Sequence, residues 1–103
     1  MEKVIAGKTI DVNQEGYLTD FNQWDKDIAQ EIATEEGVGE LNERHWAVVN
    51  WLQEQEKKEV ALTIRKLGKS GVTDIKEFYA LFPGGPLKKA TKIAGIKKPV
   101  GCI

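Results

Sequence analysis

Residues 79–103 read YALFPGGPLKKATKIAGIKKPVGCI, and the breaks in this stretch set the reading of everything upstream. Pro83-Gly84-Gly85-Pro86 ends any helix containing Tyr79–Phe82, because proline has no amide donor and glycine gives helix no support. The second proline suits the first turn of a new helix, so one is predicted over Leu87–Ala94, closed by Gly95. Pro99 then blocks continuation, and Gly101 loosens the backbone. The last eight residues, 96–103, therefore read as a flexible arm on a globular body of residues 1–95. The arm carries Cys102, the only cysteine of the chain. Free cysteine is usually buried, and a terminus is where packing is hardest to provide. The thiol is either incidental or there to be touched.

Working back from Phe82, Thr73 is a candidate cap for a helix through Tyr79-Ala80-Leu81-Phe82. Another helix is predicted over Ala61–Lys69, stopped by Gly71. Upstream, His45, Val48, Val49 and Leu52 follow the i, i+3, i+4, i+7 rule of a helix capped by Asn42 and running to about Glu56. Trp24, Ile28 and Ile32 recur every four residues, which predicts a helix from Trp24 that Gly37 stops. Val4–Ile10 and Tyr17–Phe21 read as two strands of a hairpin turning at Asn13–Gly16, with Ile10 and Val12 alternating against Thr9 and Asp11. The expected fold is α+β, a small N-terminal β-hairpin or meander packed on about five helices.

At 103 residues, with 41% hydrophobic and 30% charged residues, the chain suits one ordinary globular domain. One cysteine and one histidine make no zinc set, and nothing calls for a cofactor. The first thirty residues lack a long apolar run, so neither a signal peptide nor a membrane span is expected. The expected location is the cytosol, where a reducing environment keeps Cys102 a thiol. The net charge of -1 hides an asymmetry. Residues 1–59 carry 6 Lys/Arg and 14 Asp/Glu, giving -8, whereas residues 60–103 carry 9 and 2, giving +7. Lys88, Lys89, Lys92, Lys97 and Lys98 form a run without acids. They either solvate an exposed helix or form a basic platform beside the thiol, for an acidic partner or an anionic sulfur species. Direct nucleic-acid binding is not expected of them, since no aromatic residue interleaves the run.

Few side chains offer chemistry. His45, on an apolar helical face, reads as a semi-buried structural residue, with a base or docking role as the alternative. Ser70, the only serine, is at a helix end rather than a nucleophile elbow. Glu35, Glu36, Glu40 and Glu43 read as a solvated face. Gly84-Gly85 lacks the spacing of a phosphate loop. Cys102 remains. Its thiolate is the reactive form, and Lys97 and Lys98 are placed to favour it if the arm folds back. Seven extended residues reach ~20 Å, which suits a carrier that enters another protein's active site.

The pattern LFPxGPxKxAxKxAGxxKPxGC, together with DVNQEGYLTDFNQWD and LNERHWAVVNWLQE, resembles the DsrC/TusE family across nearly the whole chain. This family includes the gamma subunit of dissimilatory sulfite reductase and the TusE sulfur-relay protein. The resemblance implies a hairpin packed on helices, an arm, and a match between Cys102 and the family's penultimate, persulfide-carrying cysteine. Two-cysteine members have another cysteine eleven residues earlier. Here 102 - 11 = 91, and that position is Thr91, whose hydroxyl forms neither disulfide nor trisulfide.

The single-cysteine pattern is similar to TusE. It implies a carrier without turnover of its own, monomeric alone. The carrier would accept sulfur from a donor complex of the TusBCD/DsrEFH type and pass it to the tRNA 2-thiouridylase. Two alternatives stay open: a DsrC-like partner of sulfite reductase, and a non-catalytic nucleic-acid-binding regulator whose helices 61–69 and 73–82 imitate a helix-turn-helix.

Overall fold

The computed structural model describes residues 1–99. Strand β1 (Glu2–Ile5) pairs antiparallel with β2 (Lys8–Asp11), Ile5 opposite Lys8. The predicted strand Val4–Ile10 is thus two strands with a turn between them. Ala6 and Gly7 both adopt positive φ, 53° and 76°, as a two-residue hairpin turn demands. Alanine is uncommon there, and the Ala6 amide is held by the Glu31 carboxylate, which accepts its hydrogen bond.

The turn predicted at Asn13–Gly16 is present as a second bend. The Asn13 amide donates to the Tyr17 carbonyl at 2.9 Å, and Val12 bridges Leu18. Tyr17–Phe21 does not continue as a strand, because Asp20 caps a single 3-10 turn over Phe21–Gln23. The N-terminal region is therefore a meander whose third rung is one bridge long.

Helix α1 (Lys26–Glu35) starts from Asp25, whose carboxylate accepts from the Ile28 amide. Trp24 lies one step outside it, so only Ile28 and Ile32 of the predicted stripe are helical. Both are buried. Helix α2 (Glu43–Lys57) is capped by Asn42, as predicted. Helix α3 (Ile64–Lys69) is shorter than predicted, because Thr63 caps it and Ala61–Thr63 runs ahead of the helix. Helix α4 (Ile75–Leu81) is capped by Asp74 rather than Thr73. Thr73 is buried, and its hydroxyl donates to Glu77. Helix α5 (Pro86–Ile93) begins on Pro86 and ends one residue before the prediction.

Helix α5 packs on α1, α2 and α4, while α1 lies on β1 and α3 on α4. The core runs through Ile5, Ile28, Val48, Leu52, Phe78 and Leu87, all without exposure.

The C-terminal end of α5 is fastened from three directions. Its own chain closes it, with the Gly95 amide bonded to the Lys92 carbonyl and the Ile96 amide to the Thr91 carbonyl, both at 3.2 Å. This is the paired bonding of a left-handed helix cap. The Trp24 indole Nε1 donates to the Ile93 carbonyl at 2.8 Å, and Gln53 Nε2 from α2 donates to the Ala94 carbonyl at 2.8 Å. Orphan carbonyls at a helix end are thus satisfied by distant side chains. Gly95, at φ 74°, sits so close to Trp24 that an added Cβ would lie 2.4 Å from the indole Cδ1.

A second strut ties α2 to α4. Arg44 Nε donates to Glu77 Oε2 at 3.0 Å and its Nη2 donates to Oε1, while Thr73 donates to the same carboxylate.

Two outcomes follow from these contacts. Gly95→Ala should destabilise the protein to urea by more than about 2 kcal/mol, combining a left-handed penalty with steric overlap. Trp24→Phe, which keeps an aromatic ring and loses one hydrogen bond, should cost closer to ~1 kcal/mol. A wild-type urea midpoint for Gly95→Ala would refute the close-approach argument. Second, the bonds from Arg44 and then Thr73 lower the Glu77 carboxyl from 4.5 to about 2. The unfolded chain takes up that proton first, so the strut stabilises fully above pH 4.5 and is lost as pH falls toward 2. Thermal melts across this window should fall less steeply for Glu77→Gln than for wild type; parallel curves would contradict it.

Candidate functional site

Helix α5 carries three of the five lysines predicted to bind, and the stretch that follows it carries the other two. Cys102, the predicted carrier of sulfur, lies outside the described residues. The lysines do not form a free basic platform. Lys89 Nζ donates to the Glu36 carbonyl at 2.7 Å, and Lys92 Nζ lies 3.3 Å from the Glu36 carboxylate and 5.8 Å from the Tyr17 ring centroid. Lys98 pairs with Glu15 at 2.9 Å, and Lys97 with Glu56 at 4.0 Å. Among the described residues only Lys88 of the five has no ammonium contact of this kind; its carbonyl accepts from the Tyr17 hydroxyl at 3.1 Å. The acids that answer these lysines come from the N-terminal half, where the excess of negative charge resides.

These pairs position the path to the thiol. Ile96 and Pro99 are buried, and Lys97 and Lys98 are held between them. The stretch 96–99 thus lies on the body rather than away from it. Its bond with Lys98 holds the Glu15 carboxyl below the usual carboxylate range, and the same contact raises the Lys98 ammonium. Pro99 also walls an apolar cleft of about 340 Å³, with Glu56, Val60, Leu62, Thr63 and Lys98 around it.

No second reactive constellation accompanies this path among the described residues. His45 is 6% exposed and structural: its Nδ1 accepts from the Asn42 amide at 3.1 Å, and its Nε2 meets the Leu81 carbonyl at 2.9 Å. The Ser70 hydroxyl donates to the Leu67 carbonyl at 2.6 Å. Glu35 pairs with Lys3 and Glu36 with Lys92. No cluster of His, Cys, Asp or Glu able to hold a metal occurs among the described residues, and no helix there is long and apolar enough to cross a membrane.

Thr91 is fully buried within α5, its hydroxyl donating to the Leu87 carbonyl at 2.8 Å. Burial raises the nearby Tyr17 hydroxyl pKa, with the Thr91 hydroxyl opposing the shift. The sequence reading missed Trp24, Gln53, Glu15 and Glu56 as positioning residues. Their partners lie 41 to 83 residues away along the chain, beyond any local pattern. Gly95 was the one visible signal.

The described residues form a two-turn meander and five helices, with 97–98 paired to Glu56 and Glu15 of the body. The chain belongs to the DsrC-like family: the model described as "DsrC like protein" matches residues 4–103. It is 35% identical to the dissimilatory-type sulfite reductase gamma subunit of Nitratidesulfovibrio vulgaris, covering 99% of this chain and 98% of that one. It is 41% identical to the sulfurtransferase TusE of Salmonella typhimurium, covering 97% and 98%. The crystal structure titled dissimilatory sulfite reductase I (DsrI) superposes with a TM-score of 0.86 at 33% identity, covering both chains completely.

The fastening of 96–99 is open to a direct check. Glu15→Gln should speed amide hydrogen exchange at Ile96–Lys98 while the global melting temperature stays near wild type, since exposed ion pairs add little to overall stability. Acidification should loosen wild type in the same way, because the pair needs an ionised Glu15 whose pKa is lowered by folding. Unchanged exchange in Glu15→Gln would show that the pair holds nothing.

Proposed function

We propose that the protein is a sulfur carrier whose working atom is the Cys102 sulfur. Membership of a family that includes TusE and DsrC proteins, with a match extending to residue 103, carries this reading. The described body supports it by offering no competing nucleophile, base or metal set. The Cys102 thiolate attacks the terminal sulfur of a donor persulfide. A new sulfur–sulfur bond forms on Cys102, the donor's bond breaks, and the donor leaves as its thiolate, so no net oxidation occurs. The reverse attack by an acceptor thiolate unloads the sulfur.

The donor is a complex of the TusBCD/DsrEFH type, and the acceptor is the tRNA 2-thiouridylase in the cytoplasm. The single-cysteine pattern favours this acceptor over sulfite reductase, because Thr91 supplies no partner for an intramolecular disulfide. The functional arm is residues 96–103 on a body of residues 1–95. From Pro99, three extended residues bring Cys102 out only ~10 Å. Releasing Lys97 from Glu56 and Lys98 from Glu15 would lengthen the reach toward ~20 Å.

Incubation with inorganic polysulfide should add one sulfur atom to the intact protein, mapped by mass spectrometry to Cys102 and removed by a thiol reductant. Cys102→Ser should gain none. Equal uptake by the variant would eliminate the carrier reading.

A further inference from the structure

The excess positive charge of the C-terminal half is not expressed where the lysine run suggested. Four of those five lysines engage backbone or carboxylates of the N-terminal half. The cations left without a carboxylate partner among the described residues include Arg65, Lys69 and Lys76, all exposed on α3 and α4. The only two acids of residues 60–103 are already occupied. Asp74 caps α4 through the Glu77 amide, and Glu77 is bound by Arg44 and Thr73.

The same two helices also expose apolar area. Ile75 and Tyr79, four residues apart on one side of α4, are 47% and 48% exposed. Gly68 lets the two helices approach: an added Cβ would meet Ile75 Cγ1 at 2.7 Å. Arg65 and Lys69, four residues apart, share one exposed side of α3, and Arg65, three residues before Gly68, neighbours it along the helix surface. An aliphatic and an aromatic anchor on helices that also carry exposed cations is the composition of a protein-docking patch. Helix α3 also begins at the cleft that Pro99 walls, since its cap Thr63 lines the same space.

We propose that the exposed face of α3 and α4 docks an acidic protein partner that exchanges sulfur with Cys102. The proposal rests on the carrier reading and adds where the partner sits. A partner that extends from this face to the start of α3 meets the cleft that Pro99 lines, three residues before Cys102 in the chain. Nucleic acid fits less well. Helix α4 bears one cation, Lys76, too few for a recognition helix that must follow phosphates along a groove.

The test compares Arg65→Glu/Lys69→Glu/Lys76→Glu with wild type in two sulfur-loading assays, and a milder Arg65→Gln/Lys69→Gln/Lys76→Gln variant guards against misfolding. With inorganic polysulfide, both variants should load Cys102 at the wild-type rate. With a persulfide-loaded TusBCD-type complex at low salt, the reversed variant should load at least tenfold more slowly and the neutral variant by an intermediate factor. Added salt should slow wild type toward the variants. Wild-type loading of both variants by the protein donor would overturn the docking surface alone. Failure of wild type with polysulfide would overturn the carrier reading and this surface with it. A duplex RNA or DNA bound steeply with salt by wild type, lost in the reversed variant while protein-donor loading is unchanged, would reassign the patch to nucleic acid.

Discussion

The contact between the Trp24 indole and Gly95 is the constraint on which the presentation of the C-terminal stretch depends. The ring occupies the space that any β-carbon at position 95 would need, and its Nε1 ties down the carbonyl of Ile93. One aromatic residue just ahead of α1 thereby sets both where α5 stops and how close the following chain lies to the body. Gln53 reinforces this from α2 through the Ala94 carbonyl. With these bonds in place the helix end has satisfied carbonyls, and Ile96 can be buried without leaving polar groups stranded. The direction in which residues 97–99 leave is then a property of the whole fold.

Charge pairing repeats this logic at longer range. A sequence split into -8 and +7 halves is a sequence whose halves attract each other when they fold. Glu15, Glu36 and Glu56 come from the second bend, the end of α1 and the end of α2, and together they meet Lys98, Lys92 and Lys97. Each exposed pair contributes little stability by itself. Their combined effect is positional: they draw 97–98 against the body and leave uncompensated charge on α3 and α4 instead. The surface field of the molecule is thus displaced from the basic run of its sequence.

Much of the architecture was legible because its determinants are local. Asn42, Gly37 and the Pro83–Pro86 break act within a few residues, and the helices they delimit lie where periodicity placed them. The misplaced strand shows the limit. Ala6-Gly7 lacks the Asn-Gly signature of a tight hairpin, and part of its support is the Glu31 carboxylate, 25 residues away. Trp24 was misread for a related reason: its spacing to Ile28 and Ile32 fits a helical stripe, yet Asp25 beside it is the better cap and excludes it from the helix. In the candidate site, the lysines were visible as residues, but their neutralisation was not. An ion pair between positions 15 and 98 leaves no trace in either local segment.

Thr91 connects the fold to the chemistry. A residue with no exposure, whose hydroxyl is bonded to the Leu87 carbonyl, belongs to the packing of α5 against its neighbours. The hydroxyl is held by its own helix and has no sulfur chemistry to contribute. Any sulfur–sulfur bond that Cys102 makes must therefore be to another molecule. The carrier proposed above, confined to intermolecular exchange, cannot protect or release its cargo by closing a disulfide on itself. Selectivity must come from which partner is brought alongside, and for how long. That requirement gives surface residues distant in sequence from the thiol a direct part in its function.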